Sequence, residues 1–358
     1  MSMPAETETK TQNQNQTPNK TTQPKTEHHI KLTSSEVANI WSSYMNDCAS
    51  ACVFVTFMAH VKDLEVRSVV EFALQTSEAH IRKLRSFFSE EQLPIPDAYS
   101  EALDVNQGAP RLFTDEFYLF YVQNIGKVGM EIFATALSNS ARLDICEYYT
   151  ECLSESARLF NKATEIMLSK GTFIRSPYIP ESKNVQYIKH ESYMAGWFGH
   201  RRPLNVIEMS NIYFNLIHNQ LGRTLLMGYS QVAESQEVRE YMRRGRDIAD
   251  KHVEIFGSLL SREFLPSASA WSTMPTDSKV PPYSDKLMMF HTTTLNAGGV
   301  GYYGKSLATS PRRDLSTDYV RLISEIGHYG EDGIHIMIKN GWLEQPPQAI
   351  DRDQLVTE

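Results

Sequence analysis

Residues 36–41 read EVANIW, and residues 208–213 read EMSNIY, a pair that shares the Glu, the Asn-Ile step and the final aromatic residue. The two stretches lie 172 residues apart. The same offset aligns three more stretches: Glu65-Val66-Arg67 with Glu237-Val238-Arg239, His80 with His252, and Leu93-Pro94 with Leu265-Pro266.

Farther along the chain, the offset between matching residues becomes 170. It then aligns Asp115 with Asp285, Arg142 with Arg312, Asp144 with Asp314, Glu155 with Glu325, and Gly171 with Gly341. A single shift of two residues, placed in a predicted loop, is what one insertion or deletion leaves after a duplication. The sequence therefore predicts two tandem copies of one structural unit.

Each copy contains four segments in which apolar residues recur at helical spacing. In the first copy these segments are residues 34–61, 64–91, 114–138 and 141–170. The second and third segments are joined by a long connection rich in Pro, Ser and Asp, and the other connections are short. Ferritin-like bundles with one crossover have this order of connections. We predict an all-α fold of two tandem ferritin-like four-helix bundles from an internal duplication.

Polar residues at the helix ends support these boundaries. Thr33 and Asn205 each precede a Glu by three residues, the spacing of a capping box at a helix N-terminus. Ser140 and Ser310 are predicted to cap the fourth helices.

The chain divides into five predicted parts. Residues 1–29 contain no Val, Leu, Ile or aromatic residue and cannot bury enough apolar surface to fold, so they are predicted to be a disordered tail. The first bundle should occupy residues 30–175, and the second bundle residues 203–350. Residues 176–202 then form a linker, and residues 351–358 a C-terminal tail.

Composition limits the class of partner. A formal net charge of −8 offers no basic surplus for phosphate, so nucleic acid is not expected as a partner. The apolar run Cys48–His60 is shorter than the roughly 18–20 residues that a membrane helix needs, so no membrane insertion is expected. The N-terminus shows no basic start followed by an apolar run, so no secretory signal is predicted. We expect a cytoplasmic protein.

A histidine lies on the apolar stripe of the second helix in both copies. These residues are His80 and His252, and the equivalent positions of the first helices hold Asp47 and Asn219. Because the first two helices form an antiparallel hairpin, we expect Asp47 to reach His80, and Asn219 to reach His252.

Two interpretations of these polar positions remain open. One is a buried pair of hydrogen-bonded side chains in each half. The other is a contact for a metal or a substrate in the middle of the bundle, in which a Glu of the fourth helix takes part. The candidate binding residues are Asp47, His80 and Glu155 in the first half, and Asn219, His252 and Glu325 in the second.

The stretch SEIGHYGEDGIH at residues 324–335 contains Glu325-x-x-His328, a spacing with which ferritin-like bundles bind iron. A di-iron bundle needs the same motif on a second helix, but the second helices have TSEAHIRK and IADKHVEI around their histidines. The first copy also has Arg158 at the position of His328. We therefore expect no di-iron centre, and His328 and His335 are weak candidates for a single metal.

Four stretches carry a resemblance to a known family, and they are LTSSEVANIW, SNIYFN, LGRTLLMGYSQVA and IMIKNGWLEQPPQ. Together they resemble the bacterial family catalogued as domain of unknown function 3231, over nearly all of residues 30–350. The resemblance implies a pair of ferritin-like bundles in endospore-forming bacteria, where some members carry a spore-coat label. It supplies no catalytic residues.

Two hypotheses for the function follow. The first is a non-catalytic ferritin-like protein that acts by packing and association, with copies of itself or with other coat proteins, in the spore or its coat. It expects no cofactor. The second is a metal-dependent oxidoreductase or a small-molecule binder with a polar pocket at mid-bundle, using iron or another divalent metal if it is an oxidoreductase.

Overall fold

The computed structural model describes residues 30–179, 183–197, 201–267, 274–352 and 355. The described residues from Leu32 onward belong to one compact unit. The predicted disorder of residues 1–29 lies outside the described residues.

Each half contains four long helices. The first half contains α1 (Ser34–His60), α2 (Leu64–Glu90), the single turn α3 (Glu101–Asp104), α4 (Asp115–Ser138) and α5 (Leu143–Ser169). The second half contains α6 (Val206–Val232), α7 (Gln236–Ser261), α8 (Asp285–Thr309) and α9 (Arg313–Lys339). A 3₁₀ turn at Glu191–Met194 lies between the halves. The all-α fold with two tandem ferritin-like bundles is thereby confirmed. In the described ranges, no helix is long and apolar enough to cross a membrane.

A buried glutamate joins the first and fourth helices of each half. Both predicted capping boxes are present. In addition, Glu36 Oε1 accepts hydrogen bonds from the backbone N–H groups of Ala141 and Arg142, at 3.0 and 2.9 Å. Glu208 Oε1 accepts one from Arg312 N at 3.2 Å. These carboxylates satisfy donors that the start of a helix leaves unpaired.

The predicted caps at Ser140 and Ser310 are wrong, because the fourth helices begin at Leu143 and Arg313. The Ser140 hydroxyl instead donates to the Ala136 carbonyl at 2.8 Å, at the end of the preceding helix. The glutamate of the first helix has taken over the capping role that local sequence assigned to serine.

The crossovers of the two halves pair with each other. Asn106 N donates to the Pro282 carbonyl at 3.0 Å, and Thr276 N donates to the Leu112 carbonyl at 2.8 Å. Isolated antiparallel bridges join Val105 to Tyr283 and Phe113 to Pro275. Over their described residues, the crossovers make these bridges with each other, so each satisfies backbone groups of the other.

The larger of two apolar clusters runs through both halves, and a smaller one lies within the second half. At their boundary, His291 of α8 lies between two tyrosines, with Nε2 2.8 Å from the Tyr121 hydroxyl and Nδ1 2.8 Å from the Tyr229 hydroxyl. Burial lowers the pKa of His291 to about 4, so the imidazole is neutral at physiological pH. A neutral imidazole donates through one nitrogen and accepts through the other, which one tyrosine from each half can match.

Acid should destabilise the fold through His291. The pKa of His291 is about 4 in the folded protein and about 6.5 in the unfolded chain. The free energy of unfolding that the neutral imidazole contributes is therefore complete above pH 6.5 and is lost as the pH falls toward 4. The expected loss is about 3 kcal/mol, from about 1.4 kcal/mol per pKa unit. The free energy of unfolding, measured by urea denaturation from pH 8 to 4, should therefore fall less steeply in His291→Gln. The exposed His335→Gln serves as control, and equal slopes in all three proteins would contradict the assignment.

Candidate functional site

In the first half, His80 of α2 is held between two carboxylates from neighbouring helices. Its Nδ1 lies 3.4 Å from Asp47 Oδ1 on α1, and its Nε2 lies 2.8 Å from Glu155 Oε2 on α5. The predicted proximity of Asp47 and His80 is thus confirmed. All three side chains are largely shielded from solvent, with exposed fractions of 7, 11 and 16% for His80, Asp47 and Glu155.

The electrostatics favour a charged imidazole in this half. Burial by itself lowers the pKa of His80. The contacts with Asp47, Cys152 and Glu155 outweigh burial and raise that pKa to about 12. Burial raises the pKa of Asp47, although the contact with His80 acts in the opposite direction. An imidazolium that donates both of its N–H groups cannot act as a general base at neutral pH.

A cavity of about 140 Å³ adjoins this ion cluster. Asp47, His80 and Glu155 form part of its wall, and most of the remaining surface is apolar. Phe290 and His291 of the second half close one side. Asp47 Oδ2 is buried and lies 3.4 Å from His80 Nδ1, but no described donor meets it with hydrogen-bond geometry, although the nearby Ser77 hydroxyl helps to lower the pKa of Asp47. Buried carboxylate oxygens normally have a donor, so this oxygen marks an incomplete site.

The second half has a different arrangement around its histidine. Asn219 Nδ2 donates to the Tyr303 hydroxyl at 2.7 Å, and that hydroxyl lies 2.8 Å from His252 Nδ1. His252 Nε2 lies 3.1 Å from Glu325 Oε2, and Lys251 Nζ is 2.7 Å from Glu325 Oε1. The expected contact between Asn219 and His252 therefore runs through Tyr303, whose hydroxyl fills the space between them.

These partners fix the protonation of His252. Glu325 accepts the proton on Nε2, so Nδ1 accepts the hydroxyl proton of Tyr303, and the Tyr303 oxygen accepts from Asn219. Burial lowers the pKa of His252, although Glu325 acts in the opposite direction. The chain of hydrogen bonds is complete with a neutral imidazole. The cavity beside it measures only about 60 Å³.

Three substitutions between the copies explain why His80 is charged and His252 is neutral. Asn219 takes the position of Asp47 and removes one carboxylate. Tyr303 takes the position of Phe133, which in the first half packs edge-on against His80 with 5.7 Å between ring centroids. The third substitution adds Lys251, which neutralises Glu325 from outside. The first half has consequently kept a charged, partly unsatisfied site, and the second a neutral, satisfied one.

The structure does not bring His328 and His335 into either site. Both are exposed on α9, and His328 Nδ1 has a Glu331 carboxylate oxygen at 4.0 Å. Glu325, which the sequence places on the same polar face, instead turns toward His252 and Lys251. The Glu-x-x-His spacing here therefore joins an inward glutamate to an outward histidine and does not form an iron-binding motif.

The residues do not fit the di-iron centre that a ferritin-like fold implies. Such a centre takes a carboxylate from each of two helices and a Glu-x-x-His motif from each of the other two. At mid-bundle, α4 offers Gly129 and Phe133 to the cavity where such a carboxylate would stand. In the described part of the chain, one group of three potential ligand atoms lies within 4.8 Å, from His80, Cys152 and Glu155. The His80 nitrogen of that group already donates to Glu155, so a single ion would have to displace this proton.

The sequence did not place Cys152, Tyr303 or Lys251 at these sites. It also did not predict that Arg158 would reach Glu155, where its Nη2 lies 3.7 Å from Oε1. The alignment of the copies could have found Tyr303, because it stands opposite Phe133 at the level of the histidine. Cys152 could have been found one helical turn before Glu155.

The fold and its two buried histidine sites define a duplicated helical-bundle protein whose halves have diverged at mid-bundle. The chain belongs to the family described as "Protein of unknown function (DUF3231)", which matches residues 21–185 and again residues 192–355. The two matches confirm both the predicted family and the tandem repeat.

Among solved structures, the chain is similar to one from Bacillus halodurans described as a "putative spore coat protein". The identity is 16%, the similarity covers 42% of this chain and 98% of that one, and the TM-score is 0.37. No curated protein matches the chain.

Proposed function

We propose that the protein is a non-catalytic binding protein and that the cavity of its first half holds a small organic amine. The observation that carries the proposal is the unpartnered Asp47 Oδ2 beside that cavity. An ammonium group would supply the missing donor, and a hydrogen bond between two charged groups is stronger than a neutral one.

The size and charge of the site support this class of ligand. A cavity of roughly 150 Å³ can hold benzene, so a cavity of about 140 Å³ suits a ligand of similar size. Two buried carboxylates face one buried imidazolium, and the other nearby cation, Arg158, lies on Glu155 with a side chain that is 58% exposed, so Asp47 at the cavity wall favours a cation over an anion. The apolar part of the wall, which includes Val53, Ile132 and Leu159, would pack against the body of the ligand.

Titration calorimetry with benzylamine, toluene and benzoate at pH 7.5 tests the proposal. Benzylamine should bind more tightly than toluene, and benzoate should not bind, because it would bring a third carboxylate to the site. Asp47→Asn copies the residue of the second half and should weaken benzylamine at least tenfold, since a hydrogen bond to a charged group contributes about 1.5–3 kcal/mol.

The exposed Asp332→Asn is the matched control and should bind as the unaltered protein does. Urea denaturation of Asp47→Asn would show that the variant folds. Equal affinities for benzylamine and toluene, or full affinity in Asp47→Asn, would overturn the proposal. One tightly held metal per chain in the purified protein would do so as well. Association with copies of itself or with coat proteins, and a location in the spore, stay predictions from the sequence.

A further inference from the structure

We propose a second, separate binding site for an aromatic carboxylate in the cleft between the two halves. The cleft has a volume of about 450 Å³, within the usual range of ligand pockets. Its walls come from α4, α5 and the following segment of the first half, and from α6 of the second half. Six aromatic residues line it: Phe120, Phe160, Phe173, Tyr178, Tyr213 and Phe214.

The charge of the cleft is opposite to that of the protein. The chain has a formal net charge of −8, but the cleft is lined by Lys127 and Arg175 and by no Asp or Glu among the described residues. Its remaining polar groups include the side chains of Gln123 and Ser210. Such a lining complements an anion with an apolar body.

Lys127 is the residue that would recognise the anionic group. Its ammonium lies 4.3 Å from the centre of the Phe214 ring, a cation–π distance. It is half-buried, and burial lowers its pKa to about 8, partly opposed by Glu131. Glu131 stands one turn farther along α4 and contacts Tyr302. Burial raises the pKa of Tyr302 most, and the Glu131 carboxylate raises it further. A half-buried ammonium can donate a charge-assisted hydrogen bond to a carboxylate, and a ligand can supply that acceptor.

The aromatic rings explain why the ligand should be flat. Partly buried ring faces from both halves meet in one cleft, and stacking with an aromatic ligand adds to the free energy of simple burial. The tertiary contact of the halves creates this arrangement. By the offsets of the repeat, the second copy has Ala297 in place of Lys127, and the first copy has Ser42 in place of Phe214. The cleft therefore needs residues from both halves, and neither half contains its Lys127 and Phe214 pair alone.

Fluorescence titration of the full chain with 2-naphthoate, 2-naphthylmethanol and decanoate tests the inference. 2-Naphthoate should bind at least tenfold more tightly than the neutral alcohol, which lacks the carboxylate, and more tightly than decanoate, which lacks the ring. Lys127→Met should weaken 2-naphthoate at least tenfold and change the alcohol less than threefold. Lys127→Arg should retain most of the affinity.

The exposed Lys305→Met is the matched control for loss of one positive charge. Absence of 2-naphthoate binding, equal binding of acid and alcohol, or unchanged affinity in Lys127→Met would overturn the inference. Tighter binding of decanoate would overturn the aromatic class. Benzylamine binding at the Asp47 cavity should be the same in Lys127→Met as in the unaltered protein, so failure at one site can be distinguished from failure at the other.

Discussion

Replacing His80 with alanine should lower the free energy of unfolding by about 3–5 kcal/mol, the usual loss when one member of a buried ion pair is removed. The substitution leaves Asp47 and Glu155 facing a cavity without the cation that both contact. Arg158 can compensate only in part, because its side chain is 58% exposed and screened by water. Urea denaturation at pH 7 measures the effect.

His252→Ala provides the matched control at the duplicated position. It removes a neutral imidazole with two hydrogen bonds, and Glu325 keeps its ion pair with Lys251. The expected loss is smaller, about 1–3 kcal/mol from the partners left unsatisfied. The distinction between a charged and a neutral site would be wrong if His252→Ala proved as destabilising as His80→Ala.

A reciprocal contact of tyrosines and glycines joins α7 to α9. The rings of Tyr241 and Tyr329 stack with their centres 4.3 Å apart and an angle of 5° between their planes. Each hydroxyl donates to the backbone carbonyl of the other residue, at 3.0 and 3.2 Å. A Cβ added at Gly245 would clash with the Tyr329 hydroxyl, and one at Gly333 would clash with that of Tyr241.

Gly245→Ala should therefore destabilise the protein by about 1–3 kcal/mol, the usual cost of overpacking a core. The stacked ring and its hydrogen bond prevent Tyr329 from moving aside. Gly257 lies on the same helix, where Ser267 Cβ, at 3.8 Å, is the nearest atom of the described residues to an added Cβ. Gly257→Ala should be neutral or stabilising by up to about 1 kcal/mol, the helix preference for Ala over Gly. Urea denaturation of both variants gives the comparison.

The first half indicates which second substitution should remove the cost of Gly245→Ala. By the offsets of the repeat, Ala73 stands at the position of Gly245, and Leu159 at that of Tyr329. In a Tyr329→Leu background, Gly245→Ala should cost nothing or stabilise the helix, so the two substitutions should be strongly coupled. An equal cost of Gly245→Ala in both backgrounds would show that the tyrosine ring is not the obstacle.

Local sequence determined the helices because their signals act over a few residues. Apolar spacing predicted α1 and α2 to within one residue of the observed limits. The proximity of Asp47 and His80 could also be predicted, since a tight turn fixes the register of the hairpin that carries them. The comparison of EVANIW with EMSNIY established the duplication, because both copies kept the same caps and apolar positions.

Tertiary structure decided which side chains complete each site. Tyr303 reaches His252 from a helix that follows a long crossover, and no local rule fixes the rotation of that helix. The same applies to Glu36, which caps a helix more than a hundred residues away, and to Lys127, which meets Phe214 only where the halves pack together. Contacts between distant elements depend on the summed packing of the whole core, and that sum is not contained in the spacing of residues along one helix.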